Sequence, residues 1–326
     1  MSSQPFYHLR PNKYIDRHLF VQVLQQLKLE LDIVNYSYVG FGSFLFEDFK
    51  LIHNQLDICT MYSLENDSTI YERALFNKPY ECVNILNTSS QNFINSSSFD
   101  DPLIVWLDFT SPRNLSMQLS DFCGFLSLMG RHDILRITLN ANPKTLGEKN
   151  DDDSDEDIKD KRFKKLSDRI GRFLPTDVKS DDITLTNYPL LLLRCLEKAA
   201  QDTLKQTEIK KKYFCPIFST IYNDGPHQMV TLTGIILDDN EDETNVKSCL
   251  NKSDFVSFRW NEPILIKVPS LTTKEMLHIN QLFPDSGTTK QQIVDNFFHF
   301  FDNDDEKVQS YLQFYKQYPN FHHVSL

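Results

Sequence analysis

The residues YSYVGFGSFLFEDFKLIHNQLDICTMYSLENDSTIYERALFN, positions 36–77, decide the fold. The apolar run before Gly40 reads as a strand, Gly40 and Gly42 as a tight turn, and Phe46, Phe49 and Ile52 recur at helical spacing. The next run, ICTMYSLE, reads as a second strand that ends on Glu65. Strand, glycine turn, helix, strand and acid is the order a nucleoside-cofactor site requires. A carboxylate at that strand end accepts hydrogen bonds from both hydroxyls of a ribose, and a nearby helix N-terminus offers N–H groups to an anionic part of the ligand. Glu65 also reads as a solvated loop acid; its position favours the ribose.

The glycine pattern separates two kinds of nucleoside ligand. A dinucleotide fold prefers GxGxxG, because the pyrophosphate lies on the helix end and the third glycine permits close packing. Here the third position is Leu45. The pattern therefore favours a ligand that needs no phosphate cradle.

The alternation of strand and helix continues. A helix through Tyr71, Arg73 and Phe76 stops at Lys78 and Pro79, and is followed by a strand ECVNILN, a polar turn TSSQN and a strand PLIVWLDF that carries Asp108 at its end. A helix from about 115 to 128 and a strand DILRITLNA come next. These runs are apolar enough to be buried on both faces and are separated by helix-length segments, which predicts a parallel sheet. Later, KKYFCPIFSTIYND and HQMVTLTGIIL flank Gly225 and Pro226 and predict a hairpin. The predicted architecture is α/β: a Rossmann-like, seven-stranded, mostly parallel sheet with an antiparallel terminal strand, plus helical additions.

The segments HLRPNKYIDRHLF, YVGFGSFLFEDFKLIH, MYSLENDSTIYERALFNKPY and VWLDFTSP resemble a bacterial group described as putative O-methyltransferases, within the class I S-adenosylmethionine-dependent methyltransferases. The similarity covers roughly residues 7–140. The resemblance implies S-adenosylmethionine as cofactor and leaves the acceptor open. By position it assigns Gly40 and Gly42 to the cofactor's amino-acid end, Glu65 to its ribose, the turn of Thr88, Ser89, Ser90 and Gln91 to the neighbourhood of the adenine, and Asp108 to the methyl-transfer edge. Where many relatives place an acid for the adenine amine, this turn offers hydroxyls and an amide.

Several residues carry a plainer reading. Asp108 is either catalytic or the cap of the following helix, and the sequence leaves both open. His53 shares a helical face with Phe49 and reads as a packed histidine. The aromatics between Tyr71 and Phe76 read as core. Arg73, Asn77 and Lys78 suit a helix C-terminus. A metal-assisted reaction through Asp108 with Asn140 or Asn142 has one acid to draw on and is disfavoured.

Leu19, Phe20, Val23, Leu24 and Leu27 form one apolar helical face, which predicts an amphipathic helix that packs on the sheet; the cations before it, His8, Arg10, Lys13 and Arg17, partly neutralised by Asp16, read either as a lid over the cofactor or as a solvated helix start. At 326 residues and 40% hydrophobic content the chain can bury a full core. No apolar run is long enough to span a bilayer and no signal-peptide core is present, so a cytoplasmic protein without membrane association is expected. The six cysteines are scattered without metal-ligand spacing, so buried free thiols are expected and no metal site.

From Glu148 to Asp160 eight acids face two lysines, and a basic stretch follows. This predicts a solvated acidic loop ahead of a basic helix. The net charge of −11 does not favour nucleic acid as a partner. Residues 238–243 read as a second acidic loop, and the last third as aromatic-rich helices that are a candidate surface for a protein partner or a second copy. The expected division is a helical cap over 1–35, an α/β domain over 36–237 with an acidic insertion near 147–161, and a helical extension over 238–326. Two functions fit: an S-adenosylmethionine-dependent methyltransferase, or a non-catalytic nucleoside-cofactor-binding sensor or scaffold in a bacterial multi-protein system.

Overall fold

Alternating side chains of two neighbouring strands, β4 (Leu103–Asp108) and β5 (Ile134–Asn140), point to opposite faces, and both faces are buried. On one face Leu103, Val105, Leu107, Leu135, Ile137 and Leu139 join the main core. Phe122, Phe125 and Leu126 of helix α5 (Leu115–Leu128) meet them there, with Leu192, Cys195 and Leu196 of α7 (Asn187–Leu204). The computed structural model describes residues 10–96, 99, 101–150, 153–205, 212–238, 240–251, 253–283 and 290–320.

The sheet has eight strands in the order β3-β2-β1-β4-β5-β7-β6-β8, with β1 at Ser37–Gly40, β2 at Thr60–Glu65 and β3 at Val83–Asn87. The hairpin is β6 (Tyr213–Asp224) and β7 (His227–Leu237), and β8 is Ile264–Ile266. The first five strands pair in parallel and β7 runs antiparallel to β5. The α/β expectation holds, and β8 is the strand it lacked: three residues are too short for a periodic signal. The sheet reverses direction of winding between β1 and β4, so the loops after β1, β2 and β4 open on one crevice.

On the other face of the sheet Arg136 is fully buried. Its Nη1 donates to Thr233 Oγ1 at 2.6 Å and its guanidinium lies 4.7 Å from the Trp106 ring centre and 5.3 Å from that of Phe218. Aromatic faces stabilise a desolvated cation in this way.

Helices α2 (Glu47–Leu56), α3 (Ser68–Phe76) and α5 lie where the sequence placed them. Others depart from expectation. The polar turn after β3 is short, because α4 (Ser90–Ser96) begins at Ser90. The acidic run opens a helix: α6 (Asp155–Ile170) starts with a capping box between Ser154 and Asp157, and its first-turn acids complement the helix dipole. Asp151 and Asp152 lie outside the described residues. The second acidic stretch likewise leads into α8 (Asn240–Leu250). Phe76, read as core, is 91% exposed, because Ala74 is the residue with which α3 enters the core. Helix α1 (Pro11–Leu27) is buried along most of its length, Lys13, Asp16 and Arg17 included, and not on one face alone. The cysteines differ too: Cys195 and Cys215 are buried, Cys59 is exposed, and all six are free. Among the described residues no helix is long and apolar enough to cross a membrane.

The chain divides into two compact units. The larger, Val21–Ile221 with His227–Ile264, contains the parallel strands and the crevice. The smaller comprises Met1–Phe20, Tyr222–Pro226 and Leu265–Leu326. It holds α9 (Thr273–Asn280), α10 (Lys290–Phe297) and α11 (Asp305–Phe314). Phe301, Tyr311, Phe314 and Tyr318 of this unit are buried, and the Tyr318 hydroxyl joins Pro269 O and Leu271 N at 2.9 Å each. Within it Asp224 pairs with Arg10 at 2.7 Å and with Lys13 at 3.7 Å, so these two cations are held by a carboxylate. His8 lies outside the described residues.

Candidate functional site

Strand ends build the first wall of the crevice. Glu65 closes β2 and Asp108 closes β4, and both line a cavity of about 250 Å³. Ser89 and Ser90, from the turn after β3 and the start of α4, line it as well. Four of the six sequence-predicted residues therefore meet in one place.

Gly40 and Gly42 flank Phe41, which lines the cavity, but they are not part of the lining themselves. Neither has a positive φ; in this turn Ser43 and Phe46 take the left-handed conformation. What the glycines provide is room inside the fold. A Cβ on Gly40 would lie 2.8 Å from the Tyr38 hydroxyl, and one on Gly42 would lie 2.6 Å from the Phe46 ring and 2.7 Å from Ser63 Oγ. The Gly42 N–H donates to that same Ser63 Oγ at 3.1 Å and fixes the turn against β2. The first turn of α2 carries Glu47 and Asp48, so its dipole is already complemented and the end does not suit an anionic group.

Glu65 is half-buried. Its Oε1 accepts from the Asp67 N–H at 3.2 Å, and burial raises its pKa above the usual carboxylate range, partly countered by the backbone N–H groups of Asp67 and Asn66. Asp67 is engaged as the cap of α3, accepting from the N–H groups of Thr69 and Ile70. The division of labour leaves Glu65 facing the cavity.

The cap reading of Asp108 fails, because α5 begins at Leu115 with Asn114 as its N-cap residue, six positions later. Asp108 is placed by its strand, opposite Thr138 in the β4–β5 register, and the following Phe109 N–H continues that pairing to Thr138 O at 3.1 Å. Phe109 and Phe41 lie with ring centres 5.3 Å apart, both on the cavity. Asn140 and Asn142 are occupied in their own loop: Asn140 Oδ1 accepts from the Asn142 N–H at 3.1 Å, and Asn142 Oδ1 from the Lys144 N–H at 3.0 Å. Among the described residues no group of three His, Cys, Asp or Glu could hold a metal ion. His53 is the packed histidine expected, with Nδ1 donating to Ile58 O at 2.9 Å.

A family described as "Putative O-methyltransferase" matches residues 5–326, nearly the whole chain. The chain belongs to that family. No curated protein matches it. Among solved structures, the chain is similar to the fibrillarin pre-rRNA processing protein of Methanococcus jannaschii, with 12% identity over 63% of this chain and 68% of that one and a TM-score of 0.36. It is also similar to the N-methyltransferase NodS of Bradyrhizobium japonicum, with 8% identity over 69% and 97% of the two chains and a TM-score of 0.35.

The second wall of the crevice in this O-methyltransferase-family chain is helical, and sequence reasoning missed it. Gln118 and Asp121 of α5 are buried yet line the same cavity. Gln118 Nε2 donates to Ser111 O at 2.6 Å and holds the loop after Asp108, while Asp121 Oδ2 accepts from Ser90 Oγ at 2.5 Å. The available signal was the presence of a glutamine and an aspartate, three residues apart, in the mostly apolar helix LSMQLSDFCGFLSL.

Proposed function

We propose that the protein is an S-adenosylmethionine-dependent methyltransferase whose cofactor lies in the crevice between Glu65 and Asp108. The observation that carries the reading is the convergence on one cavity of a β2-end carboxylate, a β4-end carboxylate and the hydroxyls of Ser89 and Ser90. The cavity fits such a ligand: it offers acceptors for ribose hydroxyls and two phenyl rings, Phe41 and Phe109, whose faces favour a sulfonium cation. When bound, the cofactor supplies a methyl group on positively charged sulfur.

Glu65 binds both ribose hydroxyls and thereby sets the depth of the ligand. Asp108 sits at the end of β4, on the far side of β1 from Glu65, where its carboxylate orients an acceptor hydroxyl and takes its proton as the oxygen is methylated. An amine acceptor would need only orientation by the same group. Alignment and exclusion of water are the fold's remaining contribution, and the loop held by Gln118 supports both.

The alternative, a non-catalytic sensor, rests on the lack of an acid in the turn after β3 and of a strong catalytic signature; the intact glycine turn and Glu65 count against it. The test is methyl-labelled S-adenosylmethionine incubated with the protein and cell extract. Label passing to an acceptor in the presence of the wild-type chain supports an enzyme. Retention of bound, unreacted cofactor with no transfer supports the sensor.

A further inference from the structure

Helix α6 carries a row of cations along one side. Arg162, Lys165 and Arg169 stand at i, i+3 and i+7, the spacing that places side chains on one helix face. The two arginines are held by different loops: Arg162 Nε donates to Gly147 O at 2.9 Å, in the loop after β5, and Arg169 Nη1 to Pro112 O at 3.3 Å, in the loop after β4. Each loop adds an exposed cation of its own, Lys144 and Arg113. The loop after β4 is also a wall of the crevice, through Phe109, Thr110, Ser111 and Asn114. The cations therefore rim the crevice on the Asp108 side.

Carboxylates do not neutralise this rim. Lys149, Lys159 and Lys161 are paired with Asp155, Asp181 and Asp153, whereas among the described residues none of Arg113, Lys144, Arg162, Lys165 and Arg169 is in an ion pair. The carbonyl partners of Arg162 and Arg169 leave their charge uncompensated, and Asp168, beside Arg169 in the chain, is turned about 100° around the helix from it. Seven residues of helix separate the two arginines by about 10 Å. Each is tied to its own loop, so they do not converge on one small anion. Such a spread suits a chain of phosphates.

We propose that this rim is the track along which a single-stranded nucleic acid lies, and that one of its nucleotides is the methyl acceptor at Asp108. The inference rests on the methyltransferase reading and adds the class of acceptor to it. Arginine's planar fork binds phosphate and stacks on bases. Met117, 47% exposed at the crevice, offers apolar surface that a base can cover and that the carboxylates of an acidic peptide cannot use. A single strand is required, because a base inside a duplex does not reach into a crevice. The net charge of −11 opposes a polyanion only at long range, since at about 0.1 M salt exposed charges more than about 10 Å apart are largely screened. In the transfer, an oxygen or nitrogen of the nucleotide bonds to the methyl carbon as the carbon–sulfur bond breaks, leaving S-adenosylhomocysteine, and the nucleotide's proton passes to the Asp108 carboxylate.

The experiment follows the fluorescence anisotropy of a short labelled RNA of mixed sequence, and of the DNA of the same sequence, over a range of salt. The wild-type protein is expected to bind at low salt and to lose affinity with a log–log slope of about −2 to −3, at about 0.7 for each phosphate contact. Replacing two exposed cations together, Arg113→Gln with Lys165→Gln, should weaken binding about tenfold and flatten the slope by about 1.4. Lys198→Gln, which breaks a surface pair with Asp202 on α7, should change neither. No binding of either strand by the wild type, undiminished affinity in the double variant, or competition by polyglutamate as strong as that by unlabelled RNA would overturn the track. In a second arm the protein and methyl-labelled S-adenosylmethionine meet total RNA and denatured DNA from cells that lack the protein. Label in one of them supports the proposal and names the strand; label in neither, with strand bound, overturns the acceptor role. Anisotropy needs no cofactor, so a protein that binds the strand but not S-adenosylmethionine would overturn the methyltransferase reading, and the acceptor role with it, while the track stands.

Discussion

The crevice has one wall made of strand ends and one made of helices, and they solve the same problem differently. On the strand wall, Glu65 and Asp108 are the last residues of β2 and β4, so the sheet register alone brings their side chains to one edge. On the helical wall, Ser90 and Asp121 stand 31 residues apart in sequence and meet only because α4 packs against α5. The first wall lines the crevice with two partly buried acids; the second buries its acid almost completely. A carboxylate at a strand end is reached from the crevice and is suited to chemistry. One inside a helix packing meets little water, so an oxygen without a partner is costly there.

The sharpest way to break this contrast is at Asp108. If the strand wall does chemistry, Asp108→Asn should lower turnover about a hundredfold or more while cofactor affinity stays within about threefold, as expected for a positioned acid–base group. Near-normal turnover in the variant, measured once an acceptor is known, would reduce Asp108 to a bystander.

Gly42→Val probes the turn that carries Phe41 to the cavity. The new side chain would meet the fully buried Phe46 ring and the buried Ser63 Oγ. A loss of about 2 kcal/mol of stability is expected from such overpacking, seen as a lower midpoint in chemical denaturation. A wild-type midpoint would show that the turn yields and that glycine is not needed for space.

The strand wall predicts a pH response. Burial raises the pKa of Glu65, and a ribose hydroxyl is held by its carboxylate form. Cofactor affinity should therefore be full above this pKa and fall on acidification. The fall should begin at a higher pH than for an exposed carboxylate and approach about tenfold per pH unit. Affinity that rises on acidification would mean that the protonated acid binds the ligand. The smallest expected effect is at Gln118, which supports the loop after Asp108: Gln118→Met leaves Ser111 O without its partner and should cost about 1 kcal/mol of stability. No change in the unfolding midpoint would show that the loop is held by other contacts.

The difference between the walls also explains what the sequence disclosed. Glu65 and Asp108 were legible because strand periodicity and order locate strand ends, and a parallel sheet aligns those ends without further information. Asp121 was not, since its place on the crevice depends on which face of α5 meets α4, a tertiary fact. The glycines were legible as a turn; neither has a positive φ, and a Cβ on either would clash within its own chain. The acidic run was misread because composition argues for a loop, whereas Ser154 followed by Asp157 is a local capping signal that outweighs it. The three-residue β8 gave no period to read.

The central claim is that the Glu65 side of the crevice binds the ribose of S-adenosylmethionine. Calorimetric titration of wild-type and Glu65→Ala proteins with that cofactor tests it directly, with circular dichroism confirming that the variant is folded. Loss of two charge-assisted hydrogen bonds predicts a dissociation constant about thirtyfold higher in the variant, about 2 kcal/mol. An unchanged dissociation constant in a folded Glu65→Ala protein would contradict the claim.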